Sequence, residues 1–388
     1  MTTTHLDPVR QTAALAADVR AGLGGRPKTL PPKYFYDAVG SELFDQITRL
    51  TEYYPTRTER AILRAHAAEI AALTRASTLV EIGSGTSEKT RLLLHALREA
   101  GTLHRFVAFD VDPVVLAEAG RAVAAEFRPI EVETIVGDFE RHLALLPRHP
   151  HRLVAFLGST IGNLEPVARV DFLRGVRATM GPNDAFLLGT DLVKSVPRLI
   201  SAYDDAAGIT AAFNKNVLSV INRELDADFD PARFEHVAIW DATNEWIEMR
   251  LRSRIAQTVH IRAIDLRITF EAGEEVRTEI SAKFRRPGVV DELRRAGLTM
   301  QRWLRTSRSH CRSRPDGEPV VASCECRSSR PATSAAPLPG GGGDWIRRAQ
   351  MDKCALTAPF PGRSMAVRSG IPRSHRGSRS RDPKARAG

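Results

Sequence analysis

The feature that most constrains this chain is the stretch 79–89, Leu-Val-Glu-Ile-Gly-Ser-Gly-Thr-Ser-Glu-Lys, where an apolar run breaks into a Gly-x-Gly turn that opens a helix. Gly83 and Gly85 lack a Cβ, so the backbone can turn tightly and approach a ligand, and the helix that follows presents free N–H groups. Two more apolar runs end in an acid, Phe106 to Asp110 and Ile135 to Asp138. An acid beyond the second strand of such a unit suits two ribose hydroxyls. The glycines do not continue as G-x-G-x-x-G, because Glu88 and Lys89 stand where the third would fall, and this argues against NAD. S-adenosyl-L-methionine, with ribose and base but no pyrophosphate, fits the pattern better. An ordinary strand-to-helix turn beside solvated acids is the plainer alternative.

Between residues 76 and 192 strand and helix patterns alternate five times. Candidate strands cover 78–82, 106–109, 131–136, 153–157 and 185–189, with helices over 90–99 and 113–127. Such alternation predicts an α/β fold, a Rossmann-like parallel sheet covered on both faces. Ligands bind at the carboxyl ends of such strands, where Gly83, Asp110, Asp138 and Gly158 fall. From 193 the pattern changes to helices (196–207, 210–225) and then strands. Ile247, Met249 and Leu251 alternate with Glu248, Arg250 and Arg252, the period of a strand with one wet face. We therefore expect an N-terminal helical and extended segment (1–57) that contributes to the substrate site and a cofactor-binding domain (58–192). A smaller inserted α+β substrate-binding domain (193–283) should follow, then a return to the first sheet (284–304).

A net charge of +10 and a pI near 9.8 would ordinarily suggest a nucleic-acid partner. From Arg305 onward, however, 17 basic residues meet 6 acids, which leaves residues 1–304 at −1. All four cysteines also lie in that tail, so no disulfide framework or cysteine metal site supports the body, and no metal is expected. No apolar run approaches the ~18 residues of a membrane span, and the N-terminus lacks a signal-peptide profile. The expectation is a cytoplasmic monomer without nucleic-acid or membrane partners. The tail, 305–388, is rich in Arg, Ser, Pro and Gly and is expected to be disordered. Its abrupt onset is what a shifted reading frame in GC-rich coding DNA produces, and the last strand of the sheet is expected to be missing.

At Leu157-Gly-Ser-Thr-Ile-Gly-Asn-Leu164 the chain resembles the histidine Nα-methyltransferase family of ergothioneine biosynthesis. The likeness runs over roughly residues 15–304. It includes 30–45 (Leu-Pro-Pro-Lys-Tyr-Phe-Tyr-Asp and onward), 52–59, 81–89, 189–194, 203–208 and 278–284. It implies a two-domain class I methyltransferase that places three methyl groups on the α-amine of L-histidine, giving hercynine. Carried over by position, it implies a cofactor site of Gly83, Lys89, Asp110, Asp138 and Phe139, with Asp110 on the ribose and Asp138 and Phe139 at the adenine. It implies Tyr36, Asn163 and Tyr203 at the amino-acid end of the substrate, with Gly158 lining the methyl-transfer channel. Tyr53, Glu279 and Ser281 are implied at the imidazole.

These residue types suit the chemistry. Methyl transfer from a sulfonium is an in-line displacement, so the protein chiefly positions a neutral amine and excludes water. Asn163 can accept from the amine and donate to the carboxylate, while tyrosine hydroxyls donate without adding a cation that would repel the sulfonium. Read without the likeness, Tyr36 and Tyr53 suit aromatic packing, Glu279 after Glu274 and Glu275 suits a solvated charged face, and Asn163 after Gly162 suits a turn. Three rival functions remain: a nucleic-acid methyltransferase, a methyltransferase of the same fold on another small amine, and an inactive form owing to the altered C-terminus.

Overall fold

The computed structural model describes residues 2–4, 8–305, 320–323 and 356–359. The chain begins with β1 (Thr2–Thr4), α1 (Pro8–Gly24) and β2 (Lys28–Thr29). A 3-10 turn at Pro32–Phe35 follows, then α2 (Ala38–Arg49) and α3 (Pro55–Thr74). The starts of these helices are written in the sequence. Asp37 caps α2 by accepting from the Gly40 N–H at 2.8 Å, and Pro55, with no N–H to lose, occupies the first position of α3.

The central unit alternates as β3 (Thr78–Ile82), α4 (Arg91–Glu99), β4 (Arg105–Asp110), α5 (Pro113–Glu126), β5 (Glu131–Val136), α6 (Phe139–His142), β6 (Arg152–Phe156), α7 (Pro166–Thr179) and β7 (Ala185–Thr190). Strands run in the order β1-β5-β4-β3-β6-β7, and these six are all parallel. Every residue of β3, β6 and β7 is buried, which is why those strands read as continuous apolar runs. The expected α/β sheet is present, with strand limits within a residue or so of the sequence reading.

Next come α8 (Val196–Ser201), α9 (Ile209–Leu225), β8 (Phe234–Asp241), β9 (Trp246–Ser253), β10 (Gln257–Ile261), β11 (Leu266–Phe270) and β12 (Glu275–Ala282). They build a four-stranded sheet, β2-β12-β9-β8, and a separate β10-β11 hairpin. β2 from the N-terminal segment is a full member of that sheet. Accordingly Leu15, Val19, Leu23, Phe35, Tyr53 and Tyr54 share one core with Phe213, Val217, Ile247, Met249 and Phe270, while residues 62–192 form most of a second core. One detail corrects the sequence reading: the outer face of β9 is not uniformly wet. Glu248 is buried, where it accepts from the Trp246 indole N–H at 2.9 Å and from Arg250.

The chain returns through α10 (Arg286–Arg295) to β13 (Leu298–Met300) and β14 (Arg302–Leu304). No single strand fills the place between these and β7. Two four-residue segments do so instead, β15 (Val320–Ser323) and β16 (Leu356–Pro359). Both pair antiparallel with β7, and on their other sides with β14 and β13 respectively. The expectation that the last strand of the sheet is missing is therefore corrected: edge N–H and C=O groups of β7 take partners from two short segments of the tail. The rest of the tail expected to be disordered lies outside the described residues.

Candidate active site

At the end of β3 the chain turns through Gly83 and Gly85, both at positive φ (+68° and +48°). A Cβ on Gly85 would meet nothing within 4 Å, so the turn faces open space that a ligand can enter. Beneath it Glu81 accepts from the hydroxyls of Ser84, at 3.1 Å, and Thr90. Burial raises the Glu81 carboxyl to about 7, against the opposing pull of Thr90, Lys89 and Ser84. Asp110, at the end of β4, accepts from the N–H groups of Gly85 (2.8 Å) and Asp112 (3.1 Å). Its own burial lifts its pKa above the usual carboxylate value despite those bonds. Asp138 caps α6 and takes Lys33 Nζ at 2.8 Å, and Phe139 packs edge-on against Phe156 and Phe172.

These residues suit S-adenosylmethionine. A half-buried acid stands at the end of β4, with the open glycine turn of β3 on one side of it and the aromatic wall beyond β5 on the other. The turn carries no unpaired cation: Lys89 ion-pairs with the buried Glu59, whose two oxygens also accept the Gly158 N–H at 2.8 and 2.9 Å. Glu59 lies inside the 52–59 stretch but was given no role from sequence, since one acid among several has no signature of burial.

Gly158 joins this region to a small cavity of about 50 Å³. The cavity brings together Tyr36, Tyr53, Gly158, Asn163, Tyr203, Glu279 and Ser281, drawn from five separate parts of the chain. Asn163 sits in a 3-10 turn, Thr160–Asn163, pressed against β12. A Cβ on Gly162 would lie 2.9 Å from the Ala282 carbonyl oxygen, so only glycine permits the approach. From there Asn163 donates to the Ile280 carbonyl at 2.9 Å. Asn163 and Glu279 also wall a wider cavity of about 400 Å³ beside Asp18, Gly22 and Arg277.

Glu279 faces the cavity because β12 bulges. Arg277 pairs with Arg250, yet Glu279 pairs with Met249, so the residues after the bulge change face and Glu279 and Ser281 join the Met249 side. Burial raises Glu279 to about 7, with Lys283 and Asn163 pulling the other way. Burial likewise pushes the phenols of Tyr36, Tyr53 and Tyr203 well up, so all three stay protonated hydrogen-bond donors.

Further residues shape the site without having been assigned a role from sequence. Thr210, in the first turn of α9, brings to the wall a buried hydroxyl with no partner among the described residues. Phe213 packs its ring 5.4 Å from that of Tyr36, centroid to centroid. Behind Tyr203 and Ser281 lie the buried Lys283, Asp191 and Lys194. Among the described residues no cluster of His, Cys, Asp and Glu could hold a metal.

The family described as histidine-specific, SAM-dependent methyltransferase matches residues 15–313. A histidine N-alpha-methyltransferase of Mycolicibacterium smegmatis is 61% identical over 290 residues, 75% of this chain and 90% of that protein. Its namesake in Mycobacterium tuberculosis is 57% identical over 77% of this chain and 93% of its own length. Ergothioneine biosynthesis protein 1 of Neurospora crassa is 34% identical over 50% of this chain, which spans 23% of that longer protein.

Proposed function

Because the chain belongs to the family of histidine-specific, S-adenosylmethionine-dependent methyltransferases, we propose that the cavity at Gly158 is where it methylates the α-amine of L-histidine. The activity is S-adenosylmethionine-dependent methylation of histidine in ergothioneine biosynthesis, and the reading we propose is three transfers to the α-amine, giving hercynine. The observation that carries the site assignment is the meeting of Tyr36, Tyr53, Asn163, Tyr203, Glu279 and Ser281 around one buried space that abuts the cofactor turn.

S-adenosylmethionine supplies a methyl group on a sulfonium, and we assign its place to Gly83, Lys89, Asp110, Asp138 and Phe139. Asn163 donates to the Ile280 carbonyl and to the Glu279 carboxylate, which leaves its oxygen to accept from the substrate amine. The tyrosine hydroxyls, kept neutral by burial, donate to the carboxylate without repelling the sulfonium. Burial also disfavours the ammonium form of the substrate, so the amine lone pair is available as the C–N bond forms and the C–S bond breaks. Glu279 and Ser281 accept from and donate to the imidazole. A side chain without those groups would leave a buried carboxyl unpaired, which is the basis of selectivity.

No helix among the described residues is long and apolar enough to cross a membrane. We propose a cytoplasmic monomer, and we propose no nucleic-acid partner because residues 1–304 carry a balance of −1. Mass spectrometry of histidine incubated with S-adenosylmethionine and the protein should show successive gains of one methyl mass. Equal turnover of histidine and leucine would refute the substrate assignment.

A further inference from the structure

We propose that Lys283 is a positioning residue that fixes the direction in which the Tyr203 and Ser281 hydroxyls donate, and thereby makes the pocket select a neutral imidazole over its protonated form. The inference rests on the histidine reading of the cavity. Lys283 follows β12 and is fully buried. Its ammonium contacts the Tyr203 hydroxyl at 2.8 Å, the Ser281 hydroxyl at 2.8 Å and the Asp191 carboxylate at 3.3 Å. Three N–H bonds meet three acceptors, which is the complement an ammonium requires and a neutral amine does not.

The hydrogen inventory then follows. An ammonium can only donate, so both hydroxyl oxygens accept from Lys283. The two hydroxyls lie 2.7 Å apart and share one of their two protons between them. One proton is left, and it can point only toward the cavity that both residues line. The pair therefore offers the ligand one donor, which a neutral imidazole nitrogen accepts and an imidazolium cannot. Glu279 takes the remaining ring N–H. The titratable groups around Lys283 are Glu279 on its own strand, Asp191 and Lys194 from the loop after β7, and Tyr203 after α8. Asp191 is anchored in turn by the Tyr54 hydroxyl at 2.7 Å and by its own N–H to Ser159 Oγ at 2.8 Å.

The test compares histidine with β-(1,2,3-triazol-4-yl)alanine, whose ring remains neutral at every working pH. Binding of each to the protein saturated with S-adenosylhomocysteine is measured by calorimetry at several pH values. Titration of protein groups that act equally on the two ligands cancels in the ratio of the two dissociation constants. For the native chain the histidine-to-triazole ratio should rise about tenfold between pH 7.5 and 5.5, following an imidazole pKa near ~6.5. In Lys283→Met it should rise by less than about threefold over the same range. A flat ratio in the native chain, a Lys283→Met ratio that tracks the native one, or failure of the triazole to bind would each overturn the proposal. If Lys283→Met no longer binds S-adenosylhomocysteine, the double variant Lys283→Met with Asp191→Asn replaces it, because it removes the carboxylate together with its partner. Absence of any histidine binding to the native chain would instead refute the proposed function.

Discussion

Both carboxylate oxygens of Glu59 accept the backbone N–H of Gly158, at 2.8 and 2.9 Å, so a helix of the N-terminal half holds the loop at which the cofactor turn and the substrate cavity meet. The same carboxylate neutralises Lys89, and a Cβ on Gly189 would sit 2.2 Å from it. Three assigned or neighbouring positions thus depend on one acid that itself touches neither ligand in the proposed arrangement.

Replacing Glu59 by Ala should therefore affect both ligands. It leaves Lys89 uncompensated and the Gly158 N–H without its partner, a class of change that costs about 3–5 kcal/mol. Thermal unfolding should show the loss of stability, and calorimetry should show weaker binding of S-adenosylhomocysteine and of histidine together.

Asp110→Ala and Glu279→Ala should separate the two ligands. The first is expected to lower cofactor affinity roughly ten- to a hundredfold, the scale of one or two hydrogen bonds to a charged group, and the second to lower histidine affinity by a similar factor. Titration calorimetry of each variant with each ligand decides the matter. Loss of cofactor affinity in Glu279→Ala with histidine affinity intact would reverse the assignment.

Gly162→Ala tests the approach of the Asn163 turn to β12. The added methyl would fall 2.9 Å from the Ala282 carbonyl oxygen, so the turn must move away from the strand that carries Glu279 and Ser281. The expected result is a raised KM for histidine with unchanged S-adenosylhomocysteine binding, measured by steady-state kinetics and calorimetry.

Glu81 gives a pH dependence of stability with a definite sign. Its folded pKa of about 7 lies above the ordinary value of 4.5, so its contribution is fully present below 4.5 and is lost as the pH rises through 7. Across that window the native chain should lose about 3 kcal/mol relative to Glu81→Gln, which keeps the hydrogen-bonding shape without titrating. Thermal unfolding of both proteins between pH 4.5 and 8 checks this; parallel curves would contradict it.

Ending the chain after Arg305 removes β15 and β16, and with them the partners of β7, β13 and β14. The truncated protein should melt several degrees lower and lose solubility, as measured by thermal unfolding and by the soluble fraction after expression. Restoring an acidic turn plus one apolar strand at that point should raise the melting temperature above that of the 388-residue chain.

Most of the parallel sheet was legible because β3, β6 and β7 are buried along their whole length and strands end in residues with a chemical purpose, as Ile82 gives way to Gly83 and Phe109 to Asp110, whereas the largely exposed β1 carried no such signal. A helix start was read at Pro113, while those at Pro55 and Pro166, marked by the same residue type, were not. Glu279 was not decidable from its neighbours, because strict alternation places it with Glu275 and Arg277 on one face and only the bulge after Arg277 separates them. Glu59, Asp191 and Lys283 were hidden for another reason. A charged residue reads as solvated until the partners that make its burial tolerable are known, and those partners lie 99, 92 and 80 positions away at Gly158, Lys283 and Tyr203. Glu248 was misread as wet on the same ground.

The core that unites Leu15, Phe35 and Tyr54 with Phe213, Met249 and Phe270 has a consequence for synthesis on the ribosome. Chains emerge N-terminus first, and residues 15–54 leave the exit long before residues 199–276 exist. The central sheet, whose strands follow one another closely, can close in the interval. The opening segment must wait with its aromatic face uncovered, and the histidine pocket takes shape only after Ser281 has emerged. Nascent chains stalled once β7 has cleared the exit should therefore already bind the cofactor's nucleoside end while engaging chaperones through their first fifty residues.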